Sequence, residues 1–262
     1  MKKIKVVAVS YLNTKPFLYG LFKSAVSELI DLQLAIPSEC ARMLRDGQAD
    51  LGLVPVAVIP ELDAPRLVSH YCIGAERSVR TVAIFSEKPI EELDRIYLDY
   101  HSRTSVELAK ILIRDYWHLQ PELLPAYPGF EDRLGGTTGG LIIGDRAVTA
   151  ETRYPLMYDL AEAWHAMSGL PFVFAAWVSN KPVDPAFLEV FDQALALGID
   201  KVPELVYLLP DPHPGFDLRT YFTENISYAL DEPKQEGLDL FLKKIGFSGA
   251  LPVISPTIAP LR

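Results

Sequence analysis

Ile4-Lys5-Val6-Val7-Ala8-Val9-Ser10-Tyr11-Leu12-Asn13-Thr14-Lys15-Pro16 joins a short apolar run to a polar segment that ends in proline. Its first half is short, apolar and β-branched, as a buried parallel strand is. Its second half turns polar at once and then admits a proline, which the first turn of a helix tolerates. Asn13 or Thr14 has a side chain able to cap that helix. The stretch therefore reads strand, loop, helix, with a polar loop at the carboxyl end of the strand.

The same rhythm repeats outward. Leu32 to Ile36 reads as a second strand, Ser38 as the cap of a helix ending near Gly47, and Leu51-Gly52-Leu53-Val54 as a third strand. Successive strand–helix–strand steps imply a parallel sheet with right-handed crossovers. Thr81 to Phe85 is a further strand, broken by Ser86-Glu87-Lys88-Pro89. Ile96-Tyr97-Leu98 restarts the pattern and leads through Ser102-Arg103-Thr104-Ser105 into a helix from Val106 to Trp117. Thr104 and Glu107 have capping-box spacing, and Leu108, Ala109, Leu112 and Tyr116 form an apolar stripe. Pro121, Pro125, Pro128 and the glycines between Gly135 and Gly140 mark a loop-rich stretch before the strand Leu141-Ile142-Ile143. A helix through Leu160, Ala163, Trp164 and Met167 stops at Gly169, Phe172 to Val178 is the next apolar strand, and two amphipathic helices close the chain at about Ile245.

The strands at about 81–86 and 172–178 bracket a self-contained middle region, so the chain crosses twice between two lobes. The expected fold is α/β and two-lobed, each lobe a mainly parallel sheet flanked by helices, joined by a two-strand hinge. Residues 1–85 plus 177–262 make the first lobe and residues 86–176 the second, with a ligand site in the cleft between them.

The composition suits this. The chain has 262 residues, 49% hydrophobic and 23% charged, which is ordinary for a globular protein near the size where cores divide. A net charge of -9, with no extended Lys/Arg run, argues against nucleic acid as a partner. Cys40 and Cys72 form no CxxC pair and read as small core residues in a reduced setting. Met1-Lys2-Lys3-Ile4-Lys5 begins like a signal peptide, but the apolar run after it is short and passes directly into polar sequence. No stretch approaches the ~18 apolar residues of a membrane span. A cytoplasmic protein without a membrane partner is expected.

Several chemistries lack their motifs: there is no HExxH, no paired Cys/His spacing, no EF-hand loop and no GxSxG elbow. What remains are polar clusters where strands end and helices begin, the places where open α/β sheets bind ligands and helix N-termini offer N–H groups to anions. Tyr11, Asn13 and Thr14 form one cluster; Ser102, Arg103, Thr104 and Ser105 form another. Capping explains part of each cluster but not so many polar side chains before one helix. Thr81, after Arg80, and Asp145, before Arg146, are further candidates, against the plainer readings of strand polarity and a surface ion pair. Among the histidines, His101 alone lies beside a candidate cluster.

Ser10-Tyr11-Leu12-Asn13-Thr14-Lys15-Pro16 resembles the SYLNTKP signature of the chorismate dehydratases of the futalosine route to menaquinone. The resemblance continues through Asp50-Leu51-Gly52-Leu53-Val54-Pro55-Val56, Val79-Arg80-Thr81-Val82, Ser102-Arg103-Thr104-Ser105-Val106 and Gly144-Asp145-Arg146-Ala147, and it spans nearly the whole chain. Thr81 stands where serine is common, so a hydroxyl is kept. The resemblance implies a periplasmic-binding-protein type II-like fold and dehydration of chorismate to 3-[(1-carboxyvinyl)oxy]benzoate, with no metal or organic cofactor. It implies catalytic parts for Asn13 and Thr81, and substrate binding by Tyr11, Ser102, Arg103, Thr104, Ser105 and Asp145. The general base stays open between the substrate's own enolpyruvyl carboxylate, His101 and Asp145. Two alternatives share the architecture: a non-catalytic solute-binding or sensory module, and the related 1,4-dihydroxy-6-naphthoate synthase, from which the SYLNTKP segment separates this chain. Oligomeric state has no signature in the sequence.

Overall fold

The computed structural model of the chain describes residues 3–249, 251 and 252. Met1 and Lys2, with which the N-terminal reading began, and Ala250 and residues 253–262 of the expected first lobe lie outside the described residues. Strand β1 (Ile4–Val9) leads to α1 (Lys15–Lys23), α2 (Val26–Leu29), β2 (Ile30–Ala35), α3 (Pro37–Arg45), β3 (Leu51–Pro55), a 3-10 turn at Val56–Glu61, and β4 (Arg66–Ala75). After a crossing come β5 (Val82–Ser86), β6 (Arg95–Leu98), α4 (Arg103–Asp115), β7 (Glu122–Pro125), β8 (Thr138–Ile143), α5 (Asp145–Arg153), β9 (Leu156–Asp159) and α6 (Leu160–Ser168). The chain then returns through β10 (Phe172–Ser179), α7 (Pro185–Asp200), α8 (Val202–Leu205), α9 (Leu218–Thr220), β11 (Ser227–Ala229) and α10 (Glu232–Lys244).

The strands form two sheets, ordered β11-β4-β10-β3-β1-β2 and β7-β6-β8-β5-β9. Apart from β11 on the edge, the two orders follow one plan. Three parallel strands carry the crossover helices, and the strand arriving from the other sheet is inserted beside the third. That inserted strand is antiparallel to both neighbours: β10 to β3 and β4, and β5 to β8 and β9. Both sheets are therefore mixed, where mainly parallel sheets were expected. The cause is that the two crossings lie side by side. Phe172 pairs with Ala75 at the end of β4, so the returning strand has to run back along the one that left.

Each inserted strand also pairs wholly within one sheet, β5 in the second and β10 in the first. The chain passes between sheets within residues 76–81 and 160–171, whereas the expected divisions at 85/86 and 176/177 cut through β5 and β10. Asp159 fastens both passages. Its buried carboxylate accepts from the Ser78 hydroxyl at 2.9 Å and Arg80 N–H at 2.6 Å, and from Ala161 and Glu162 N–H at 2.9 and 3.1 Å. Arg80 takes a left-handed φ of 64° there, a conformation that needs such local support.

Local details fix where the helices start and how two of them pack. Helix α1 begins at Lys15 with Pro16 in its first turn, and Thr14, its N-cap, makes no side-chain cap bond. Helix α3 starts at Pro37 after Ile36, not at a Ser38 cap. Helix α4 is capped by Ser102, whose hydroxyl accepts from Ser105 N–H; the Thr104–Glu107 pair is not the cap, because Thr104 is already inside the helix. Helix α1 lies tight on α7: a Cβ on Gly20 would stand 1.8 Å from the Ala194 carbonyl oxygen, and one on Gly198 1.8 Å from that of Pro16. Only glycines permit that approach.

Candidate active site

Between the sheets lies a partly open cavity lined from both sides. The first-sheet side supplies Tyr11, Asn13, Thr14, Leu53, Pro55, Ile73, Phe174 and Ala175; the crossing and the second sheet supply Thr81, Val82, Ser102, Ser105, Ile143 and Gly144. Of the candidates read from sequence, Tyr11, Asn13, Thr81, Ser102 and Ser105 meet here.

The structure takes three candidates elsewhere. Thr104 is fully buried, and its Oγ1 accepts from the N–H of Ala57 in the first lobe at 3.0 Å, so the hydroxyl serves the seam between lobes. Arg103 points outward and pairs with Glu61 in a separate depression beside the cavity. Asp145 opens α5 next to Gly144, and its Oδ1 accepts from Leu12 N–H at 3.1 Å. Burial raises the Asp145 carboxyl above the ordinary range. Arg146 does not pair with Asp145. It turns back to the buried Asp99 and to Glu131.

Within the cavity the polar groups are hydroxyls, amides and helix starts. The Thr14 hydroxyl donates to Asn13 Oδ1 at 3.2 Å, and the Asn13 carbonyl accepts from the Tyr228 hydroxyl at 2.9 Å. These bonds fix Asn13 at backbone and side chain and leave its amide N–H₂ end for a ligand oxygen. Thr81 Oγ1 lies 3.1 Å from the Tyr221 hydroxyl. Tyr221 had no local signal in the sequence; only the fold brings it to Thr81. Ser105 Oγ lies 3.3 Å from Ser102 Oγ at the N-terminus of α4, where backbone N–H groups and the helix dipole favour an anion. Among the described residues, none of the lining side chains is Asp, Glu, His, Lys or Arg. The Tyr11 phenol is held protonated, chiefly by burial and secondly by Asp99. The arrangement can bind carboxylates through neutral donors and stabilise negative charge developing on a ligand; it offers no ionised side chain as acid or base.

Against known proteins, the family described as menaquinone biosynthesis matches residues 4–246. The chain is 28% identical to the chorismate dehydratase of Thermus thermophilus over 81% of its length and 85% of the relative's. It is 26% identical to the chorismate dehydratase of Campylobacter jejuni over 72% of its length and 74% of the relative's. Among solved structures, a Candida albicans protein described as exhibiting the generic periplasmic binding protein fold superposes with a TM-score of 0.65 at 8% identity, covering 95% of this chain and 92% of that one. That likeness shows the fold.

Proposed function

This chain belongs to the menaquinone-biosynthesis family, and from that premise we propose that it is a hydro-lyase dehydrating chorismate to 3-[(1-carboxyvinyl)oxy]benzoate in the cavity between its sheets. Its curated relatives named above carry that activity in their names. The observation that carries the mechanism is the lining itself, which holds donors for carboxylates and a hydroxyl and, among the described residues, no carboxylate, imidazole or amine.

Dehydration removes the C3 proton and the C4 hydroxyl and leaves an aromatic ring. The C3–H electron pair moves through the ring double bond onto the ring carboxylate, giving an enediolate. That pair then returns to close the aromatic ring as the C4–O bond breaks and the hydroxyl leaves as water. A base must reach the C3 proton. His101 Nδ1 is engaged by Tyr11 and Asp145 Oδ1 by Leu12, and neither residue lines the cavity. Chorismate brings its own base, the enolpyruvyl carboxylate tethered at C3, with the effective-molarity advantage of an attached group. The proton it takes leaves with the C4 hydroxyl. Ser105 and the start of α4 hold a carboxylate, while the Asn13 amide and Thr81 hydroxyl orient the enolpyruvyl carboxylate and the departing hydroxyl; one such donor is commonly worth about 3 kcal/mol.

Each sheet with its helices acts as one lobe, and the lobes part to admit substrate. We place the protein in the cytoplasm; among the described residues no helix is long and apolar enough to cross a membrane. The test is to mix purified protein with chorismate and follow the ultraviolet spectrum. The cyclohexadiene absorption is expected to give way to that of an aromatic product. A stable complex with no aromatic product would instead describe a binding module.

A further inference from the structure

One side chain beside the cavity remains without a role. His101 sits between β6 and α4, directly before the Ser102 cap, and its N–H donates to Asp99 Oδ1 at 2.7 Å, which fixes the turn. Its ring crosses the cleft: Nδ1 lies 2.7 Å from the Tyr11 hydroxyl. The two rings are nearly parallel, 13° between planes with centroids 6.4 Å apart, and Tyr100 meets the imidazole edge-on at 4.4 Å. Tyr11 is also a wall of the cavity. Its ring also packs against Gly144, where a Cβ would come within 3.1 Å of the ring. The next residue is tied to the second lobe as well, through Leu12 N–H and Asp145. The Tyr11 ring therefore fills a slot in the opposite lobe, with its hydroxyl on His101.

The direction of this hydrogen bond follows from acidity. A phenol is a stronger acid than neutral imidazole, and an imidazole nitrogen is a stronger base than a phenol oxygen, so the phenol donates and Nδ1 accepts. Nε2 then carries the ring proton. Burial, seconded by the Arg146 guanidinium, holds the imidazole below its ordinary range, which favours the neutral acceptor.

We propose that His101 is a positioning residue of the dehydration site: its neutral Nδ1 accepts the Tyr11 hydroxyl proton across the cleft and sets the Tyr11 ring as the wall against which chorismate packs. This rests on the reading of the site given above. His101 touches no substrate atom and moves no proton of the reaction; it acts through Tyr11, so its loss falls on binding.

Two measurements test this. In nitrogen NMR spectra of ligand-free protein labelled at the histidine rings, His101 is expected as the Nε2–H tautomer with Nδ1 unprotonated, and Tyr11→Phe should move the Nδ1 resonance. A protonated Nδ1 near neutral pH overturns the assignment, and the wild-type spectrum needs no variant to fold. In steady-state kinetics with chorismate, Tyr11→Phe and His101→Leu should each raise KM about three- to tenfold with a smaller change in kcat. His101→Asn, whose amide oxygen stands close to the place of Nδ1, should recover most of that loss. Equal losses in His101→Leu and His101→Asn, or a loss confined to kcat, overturn the positioning role. Wild-type protein that releases no aromatic product overturns the reaction and this role with it, whereas active wild-type protein whose variants break the pattern overturns this role alone.

Discussion

Thr104 and Ser105 are neighbours that face different ways. A helix turns through about 100° per residue, so Thr104 meets Ala57 N–H in the first lobe while Ser105 lines the cavity beside Ser102. Thr104→Val keeps the shape but leaves a buried N–H without an acceptor. It should cost about 1–3 kcal/mol, read as a lower Tm, with KM for chorismate little changed. Ser105→Ala should do the reverse, raising KM about tenfold while the melt stays in place. The opposite pattern would return Thr104 to the substrate. The polar cluster from Ser102 to Ser105 was legible as a group before one helix, but which of its hydroxyls lines the cavity was not. That depends on the residue that starts the helix, and two capping spacings overlap there, Ser102 with Ser105 and Thr104 with Glu107. Tyr11 was legible as a cleft residue for its place after β1. Its partner His101 was visible only as a histidine beside a cluster, since their contact joins residues far apart in the chain.

At the scale of elements, the strand–loop–helix reading of Ile4 to Pro16 matches β1, the loop after it and α1. Direction was harder. Strands buried on both faces are continuous apolar runs whichever way they point, so β5 and β10 read as the two crossing strands of a hinge, with no sign that each runs antiparallel inside one sheet. Strand β7 hid in a proline-bearing stretch because it is an edge strand, where Pro125 needs no ladder donor. Asp159 precedes Leu160-Ala161-Glu162, a capping pattern that marks the start of α6. Its second task, holding Ser78 and Arg80 at the other crossing, has no local signature. The cap of α4 gives a direct check: Ser102→Ala removes the acceptor of Ser105 N–H and should cost about 1 kcal/mol, or roughly 2–4 °C in Tm for a chain of this size. A melt that does not move would mean that Ser102 does not cap the helix.

At the scale of the whole molecule, contacts between the lobes run from the cavity outward. Tyr11 meets His101, Leu12 meets Asp145, and Ala57 meets Thr104; beyond them lie the ion pairs of Glu61 with Arg103 and of Lys244 with Asp115, the last at 2.9 Å. On the proposal that the lobes part to admit substrate, the outer pairs bias the cleft towards closure. Each partly exposed pair is worth about 1 kcal/mol or less, and removing both with Glu61→Gln and Lys244→Met should raise the open fraction severalfold. Small-angle X-ray scattering should then show a larger radius of gyration without ligand, reversed by 3-[(1-carboxyvinyl)oxy]benzoate; an unchanged radius would mean that these pairs do not govern closure. Dehydration of chorismate in the cavity between the sheets is tested by a crystal structure with the product bound. The product is expected among Tyr11, Asn13, Thr81, Ser102 and Ser105, with a carboxylate at the start of α4. Product lying instead in the outer depression by Glu61, Arg103 and Glu107, in protein that turns over chorismate, would contradict it.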